Sequence, residues 1–331
     1  MFAEKNMNGH HLQYDSSLGK LLFLVAISML LSTLGPLSLL SPAPLVLAFF
    51  LYGNKKTYVM TLAFSMILFA ITSYGNLSVM NLAAFLLSIV YALVVKQIII
   101  SKQHPMVGVI KYGLYLLGTI VGVFLLWQNL FNGSLSEELL KVVQQVTTEI
   151  SKGPEYGTLL SKGGNDAREL QDFIKDPSKI VSEIMNWIPS IVFITIFLTI
   201  WSSLFLVLRN SLVWSSKVSY PYSINELIKF KLPEYLIWPL ILGLSLAVGG
   251  EYLGGELFEI IGFNVLYCLG VFYFFQGFGI LLLVAAKYKV SRFLRNMIIM
   301  FVTLTAWKVL VIVGLLGQWF NFNKFIKQED K

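Results

Sequence analysis

From Ile260 to Ala286 the chain carries no charged side chain, a run longer than the roughly 20 residues an α-helix needs to cross a bilayer. It is not uniformly apolar. Asn264, Cys268 and Gln276 interrupt it, glycines recur at Gly262, Gly270, Gly277 and Gly279, and aromatics crowd Tyr267 and Phe272 to Phe275. Small and amide residues inside hydrocarbon face other helices, where backbones approach closely and amides find partners. The stretch therefore reads as a central packing helix, with Gly270, Gly277 and Gly279 as its candidate packing positions. Asn264 and Gln276 have two readings: they staple helices together, or they line a cavity.

A chain of 331 residues that is 56% hydrophobic and 13% charged, with mean hydropathy +0.72, is too apolar for a soluble domain. The expected fold is all-α, a polytopic transmembrane helical bundle. Nine apolar segments fall at 21–36, 40–53, 58–74, 78–99, 107–131, 187–208, 235–249, 260–286 and 296–316. An eight-span alternative lets 21–53 cross once with a re-entrant part. Pro36, Pro42, Pro44 and Pro239 mark places where the short second and seventh segments tilt, kink or stop.

The Lys and Arg residues set the orientation. With a cytoplasmic N-terminus, Lys55, Lys56, Lys102, Lys217, Lys229, Lys231, Lys287 and Arg295 all fall on the inner side, while the connections near 37, 76 and 254 hold no basic residue. That is the positive-inside pattern, so the net charge of +7 is assigned to membrane orientation and not to nucleic acid. The divisions are a cytoplasmic tail (1–20), five spans (21–131), an extracytoplasmic loop (132–186), four spans (187–316) and an interfacial C-terminal tail (317–331). Lys324 and Lys327 lie beside Trp319, Phe320, Phe322 and Phe325 in that last tail.

The long loop offers its own helix. Ser134 with Glu137 three positions later forms a capping box, and Leu139, Val143, Val146 and Ile150 follow at helical spacing, which predicts an amphipathic helix over 135–151. A second helix is expected from about Asn165, with Leu170, Phe173 and Ile174. Asp176-Pro177 then reads as an N-cap and first-turn proline leading into span six. Such a loop packs on the membrane domain or on a partner. In the linker Arg209 to Pro233, Tyr220, Tyr222 and Phe230 alternate with Lys217, Lys229 and Lys231, the mixture of an interfacial anchor.

The C-terminal half carries Phe230-Lys231-Leu232-Pro233 before a span, then Asn264, Gln276-Gly277, Arg292 and Arg295. Gly314-Leu315-Leu316 and Gln318-Trp319-Phe320-Asn321-Phe322 follow. With Pro189, Arg209 and Asn210, this succession resembles the YybS-like family of uncharacterised bacterial inner-membrane proteins, over about 187–325. The resemblance implies a bacterial inner-membrane location and a distant similarity to the substrate-binding membrane subunits of energy-coupling-factor transporters. Those subunits bind a small nutrient from outside and dock on a separate ATPase. The chain differs in having more spans, in having Ser28 and Ser32 where an Ala-xxx-Ala docking motif is usual, and in having Gly317 where an acidic residue is expected.

Lys308 is the sharpest single residue. It falls within the last apolar segment beside Thr303, Thr305 and Trp307, and a mid-membrane Lys must pair, reach water or face a bundle interior. One reading makes Lys308, Asn264, Gln276, Thr305 and Trp307 the lining of an outward substrate cavity. The other is a snorkelling Lys, with Glu251, Glu256 and Glu259 as the nearest acidic cluster. There is no phosphate loop, HExxH or GxSxG motif, so no enzyme chemistry is expected. His10 and His11, without Cys or carboxylate support, read as part of a solvated tail, and neither metal nor cofactor is expected. Two function classes remain: a small-solute binding or transport-related subunit without its own ATPase, and a non-transporting scaffold of a cell-envelope complex. Expected partners are the bilayer, an unknown small ligand and a separate ATPase or envelope subunit.

Overall fold

The computed structural model describes residues 17–74, 79–131, 133–152, 174, 176–253, 255–287 and 291–320. The His10-His11 tail, the second loop helix (apart from Ile174) and the terminal residues from Asn321 lie outside them. Among the described residues the chain is helical, with no strand. The helices are α1 (Leu18–Thr33), α2 (Pro42–Tyr52), α3 (Asn54–Tyr74), α4 (Val79–Ile100), α5 (Pro105–Phe131), α6 (Leu135–Lys152) and α7 (Pro177–Arg209). There follow α8 (Ser211–Trp214), α9 (Ile224–Ile228), α10 (Ile237–Leu253), α11 (Glu256–Lys287), α12 (Arg292–Thr305) and α13 (Trp307–Leu316).

Every one of the nine apolar segments is helical. Six elements are long and apolar enough to cross a membrane, and α12 with α13 makes a seventh if that pair, bent by 95°, counts as one span. The segment at 40–53 reaches spanning length only together with the 3-10 turn Gly35–Leu40 before it. α1 and α10 are shorter. Pro42 and Pro44 open α2 and Pro239 lies in the first turn of α10, where a missing N–H costs nothing because that donor has no partner in the helix. The one proline inside a described helix is Pro189 of α7.

The described chain forms two compact units that interleave along the sequence. Long helices contribute to both. α7 alone has 33 residues, about 50 Å at 1.5 Å per residue.

The first unit is drawn from Met1–Tyr115, Thr195–Glu234 and Gly270–Lys331. Its N-terminal part is held by a buried hydroxyl cluster. Ser28 of α1 donates to Ser41 O at 2.6 Å, and Ser41 donates to the Ser88 hydroxyl of α4 at 2.9 Å. Ser28 and Ser32 are buried, so the small-residue stripe considered for docking an ATPase is covered by this chain's own helices. Nearby, the Lys96 ammonium stands 4.8 Å from the centre of the Phe49 ring. Further along, Trp201 stacks on Phe275 at 4.7 Å with rings nearly parallel.

The linker Arg209–Pro233 is woven into this unit, with Lys217, Lys229 and Lys231 exposed. Trp214 is buried, donates from Nε1 to Val207 O at 2.8 Å and packs its ring against Phe50. Tyr220 donates its hydroxyl to Gln103 O at 2.7 Å, and burial pushes its ionisation well above the usual tyrosine range. His104, in the loop before α5, meets the Tyr222 ring.

Glycines set two close crossings. A Cβ on Gly277 of α11 would strike Leu310 O of α13, and one on Gly314 would strike Tyr273 O. The contact is reciprocal: each glycine faces the carbonyl four residues before the other, the geometry of paired Cα–H···O contacts between helices. Gly279 likewise lies against Ile228 O of α9. At Gly270 a Cβ would sit 4.0 Å from Val311 Cγ1; that is ordinary contact, so this position does not demand glycine. In the second unit, drawn from Leu116–Ile194 and Tyr235–Leu269, Gly262 of α11 packs against the backbone of α10 at Ala247 and Gly243.

Gly277→Ala and Gly314→Ala are each expected to lower the thermal midpoint of the purified protein. The cost should be at least the about 1–3 kcal/mol typical of overpacking, because backbone carbonyls and not side chains must move. Gly270→Ala should be close to neutral in the same assay.

Candidate functional site

The residues singled out in the last apolar segment lie on either side of a break between two helices. The helix breaks at Ala306, where φ is −119° and ψ 33°. Thr305 turns its hydroxyl back to Phe301 O at 2.7 Å. Lys308, in the first turn of α13, is exposed, as are Thr305 and Trp307, and its ammonium lies 5.7 Å from the Trp307 ring centre.

Asn264 has a structural task in the second unit. Pro189 interrupts α7, because proline lacks an N–H and its ring displaces the preceding turn. In an uninterrupted helix Ser190 N–H would bond to Asn186 O. The Asn264 side chain takes both groups: Oδ1 accepts from Ser190 N–H at 3.0 Å, and Nδ2 donates to Asn186 O at 2.8 Å. The amide thus spans the interrupted rung of the neighbouring helix. Nδ2 also donates to Ile260 O at 2.9 Å.

Gln276 does comparable work in the first unit. Its Oε1 accepts from Leu232 N–H at 3.0 Å. Leu232 is buried in the non-helical stretch before Pro233, so no helical carbonyl serves that donor. A Cβ on Gly317 would come within 2.9 Å of Gln276 Nε2 and 2.7 Å of Ile280 Cδ1. Glycine here leaves the amide its place. Both central amides bond to neighbouring backbone, and Asn264 also borders a cleft.

A different cleft lies in the second unit. Glu183, Asn186 and Trp187 of α7 face Glu256, Glu259, Ile260, Phe263 and Asn264 of α11 around about 220 Å³. Trp187 meets Phe263 at 5.9 Å and Tyr267 edge-on at 5.3 Å. Three carboxylates and no Lys or Arg line it, so its charge is opposite to that of a Lys308-centred anion cavity. Glu256 and Glu259 also stand in the first turn of α11, where negative charge complements the helix dipole. Among the described residues no three His, Cys, Asp or Glu side chains are placed to hold a metal ion.

Sequence reasoning named the α11 side of this cleft through Glu256 and Glu259 but placed Glu183 and Asn186 in the loop. The missed signal was Pro189 itself: a proline followed by apolar helix calls for a polar side chain on whichever helix covers it.

Asn264→Leu should destabilise the protein by about 1–3 kcal/mol, the cost of leaving buried backbone groups unpaired. The loss should shrink when Pro189→Ala is added, since Ser190 N–H can then return to Asn186 O. Thermal unfolding of the two single variants and the double variant measures this coupling. Lys308→Met, by contrast, should leave stability unchanged.

No curated protein and no solved structure gives a significant match to this chain. One family model does match, over residues 21–318, which is most of the sequence and includes every span-forming segment. Its description is "Predicted membrane protein (DUF2232)". An all-α chain with six or seven membrane-capable helices agrees with that description, and the protein belongs to the DUF2232 family of predicted membrane proteins.

Proposed function

We propose that this protein is a small-solute binding or transport-related subunit of the cell membrane, without an ATPase of its own, and that its solute is a small organic cation. The observation that carries the reading is the α7–α11 cleft. Carboxylates at Glu183, Glu256 and Glu259 stand beside the Trp187 and Phe263 rings, and cations are attracted to such acidic and aromatic surroundings. A volume of about 220 Å³ suits a molecule of a few heavy atoms.

The resemblance to YybS-like proteins, and through them to nutrient-binding subunits of energy-coupling-factor transporters, supports a binding role. That resemblance implies a bacterial inner membrane, and the Lys and Arg distribution argues for a cytoplasmic N-terminus, with the cleft then on the outer side. Any ATPase would be a separate chain. The scaffold alternative requires a small-residue face that is open or covered by a partner. Gly277, Gly279 and Gly314 are instead covered from within the chain.

A thermal-shift screen of the detergent-solubilised protein against choline, putrescine, spermidine and a matched set of carboxylates tests this. A cation at 100 times its dissociation constant should stabilise by about 2.7 kcal/mol, and the shift should vanish in the Glu183→Gln/Glu259→Gln double variant. A response to carboxylates alone, no response to any cation, or an equal response in the double variant would overturn the proposal.

A further inference from the structure

Helix α6 begins where a membrane-capable helix ends. The last turns of α5 expose Val123, Leu125, Leu126 and Leu130 at 60%, 50%, 61% and 71%, the pattern of a helix surrounded by lipid. Only residues 132–134 separate Phe131 from Leu135, a step of at most about 14 Å along the chain. Gly133 lies against the Trp127 ring, and an indole near the end of a span is a residue of the membrane–water boundary. The start of α6 is therefore tethered to the level of the headgroups.

The helix has two distinct apolar aspects. Thr147 is buried and Leu139, Leu140 and Val143 are half-buried, which marks the side packed against the protein. Val142, Val146 and Ile150 follow at i, i+4 and i+8 and remain exposed at 47%, 46% and 38%. On the other side, Lys141 pairs with Glu138 at 2.7 Å and Gln145 bonds to Glu149 at 3.1 Å. This leaves a narrow apolar stripe between the packed side and a polar side already satisfied within the helix.

We infer that α6 lies in the plane of the membrane surface, with Val142, Val146 and Ile150 inserted at the boundary between headgroups and acyl chains of the bilayer that α5 crosses. Continuity with the lipid-facing belt of α5 selects lipid as the occupant. Glu137, Glu138 and Glu149 outnumber Lys141 and Lys152 on the helix, so the contact rests on apolar insertion, and anionic lipid is not required.

The test uses the full chain with its single cysteine removed (Cys268→Ser) and one new cysteine at a time: Val142→Cys, Val146→Cys, Ile150→Cys, and Gln144→Cys and Thr148→Cys as polar-side controls. Each variant is spin-labelled in phosphatidylcholine vesicles, and its accessibility to dissolved oxygen is compared with that to a water-soluble nickel chelate. The oxygen-to-nickel ratio should be at least about threefold higher at the three apolar positions than at the controls, as for an interfacial helix. Equal ratios would place the stripe in water. Low accessibility to both reagents would mean that another segment or another molecule covers it, and either result would overturn the inference. Hydrogen exchange over 135–152 gives a second readout: Val146→Glu should speed exchange there in lipid nanodiscs and leave α5 unchanged, whereas no change would count against lipid contact.

Discussion

A backbone N–H or C=O inside hydrocarbon has no water to bond to, and the cost of leaving one bare is several kcal/mol in a medium without alternatives. Among the described residues, buried backbone groups beside two prolines are met by side chains from a single helix. Asn264 takes up Ser190 N–H and Asn186 O beside Pro189, and Gln276 takes up Leu232 N–H beside Pro233. With those groups satisfied, α7 can carry a proline and the linker can enter the fold without being helical. α11 is central because it repairs its neighbours as well as packing on them.

Close approach is the second half of the same solution. The Gly277–Gly314 and Gly262–Gly243 crossings bring α11 against α13 and α10, elements other than those its amides serve. The aromatic cluster of Trp201 and Phe275 fills the space between α7 and α11 in the first unit. Lipid offers no hydrophobic drive for helices to associate, so packing and hydrogen bonds of this kind must supply it.

Much of this was legible in the residues. The uncharged run at 260–286, the capping box at Ser134, the Asp176-Pro177 start of α7 and the packing role of Gly277 and Gly279 all follow from local pattern. The structure bears them out through α11, the bond from Glu137 N–H to the Ser134 hydroxyl, that from Lys179 N–H to Asp176 and the two close crossings. Gly270 looked equivalent to its neighbours because sequence shows which residues are small and not which of them faces a backbone. Lys308 was counted into the middle of one unbroken helix, whereas it stands in the first turn of α13 after a break. The break at Ala306 carries no proline or glycine to announce it. The linker's hold on the fold through Trp214 and Leu232 was not legible, because the Phe50 ring and the Gln276 amide that meet them lie far away in the chain.

The bridge at Pro189 also has a direction in time. Ser190 and Asn264 are separated by 74 positions, and the ribosome makes α7 well before α11. α7 is made before the amide that serves Ser190 N–H and Asn186 O, so that bridge forms only once α11 has been made. Truncated chains ending before residue 264 would hold α7 in an unfinished state, so the point of commitment to the native bundle falls late in synthesis.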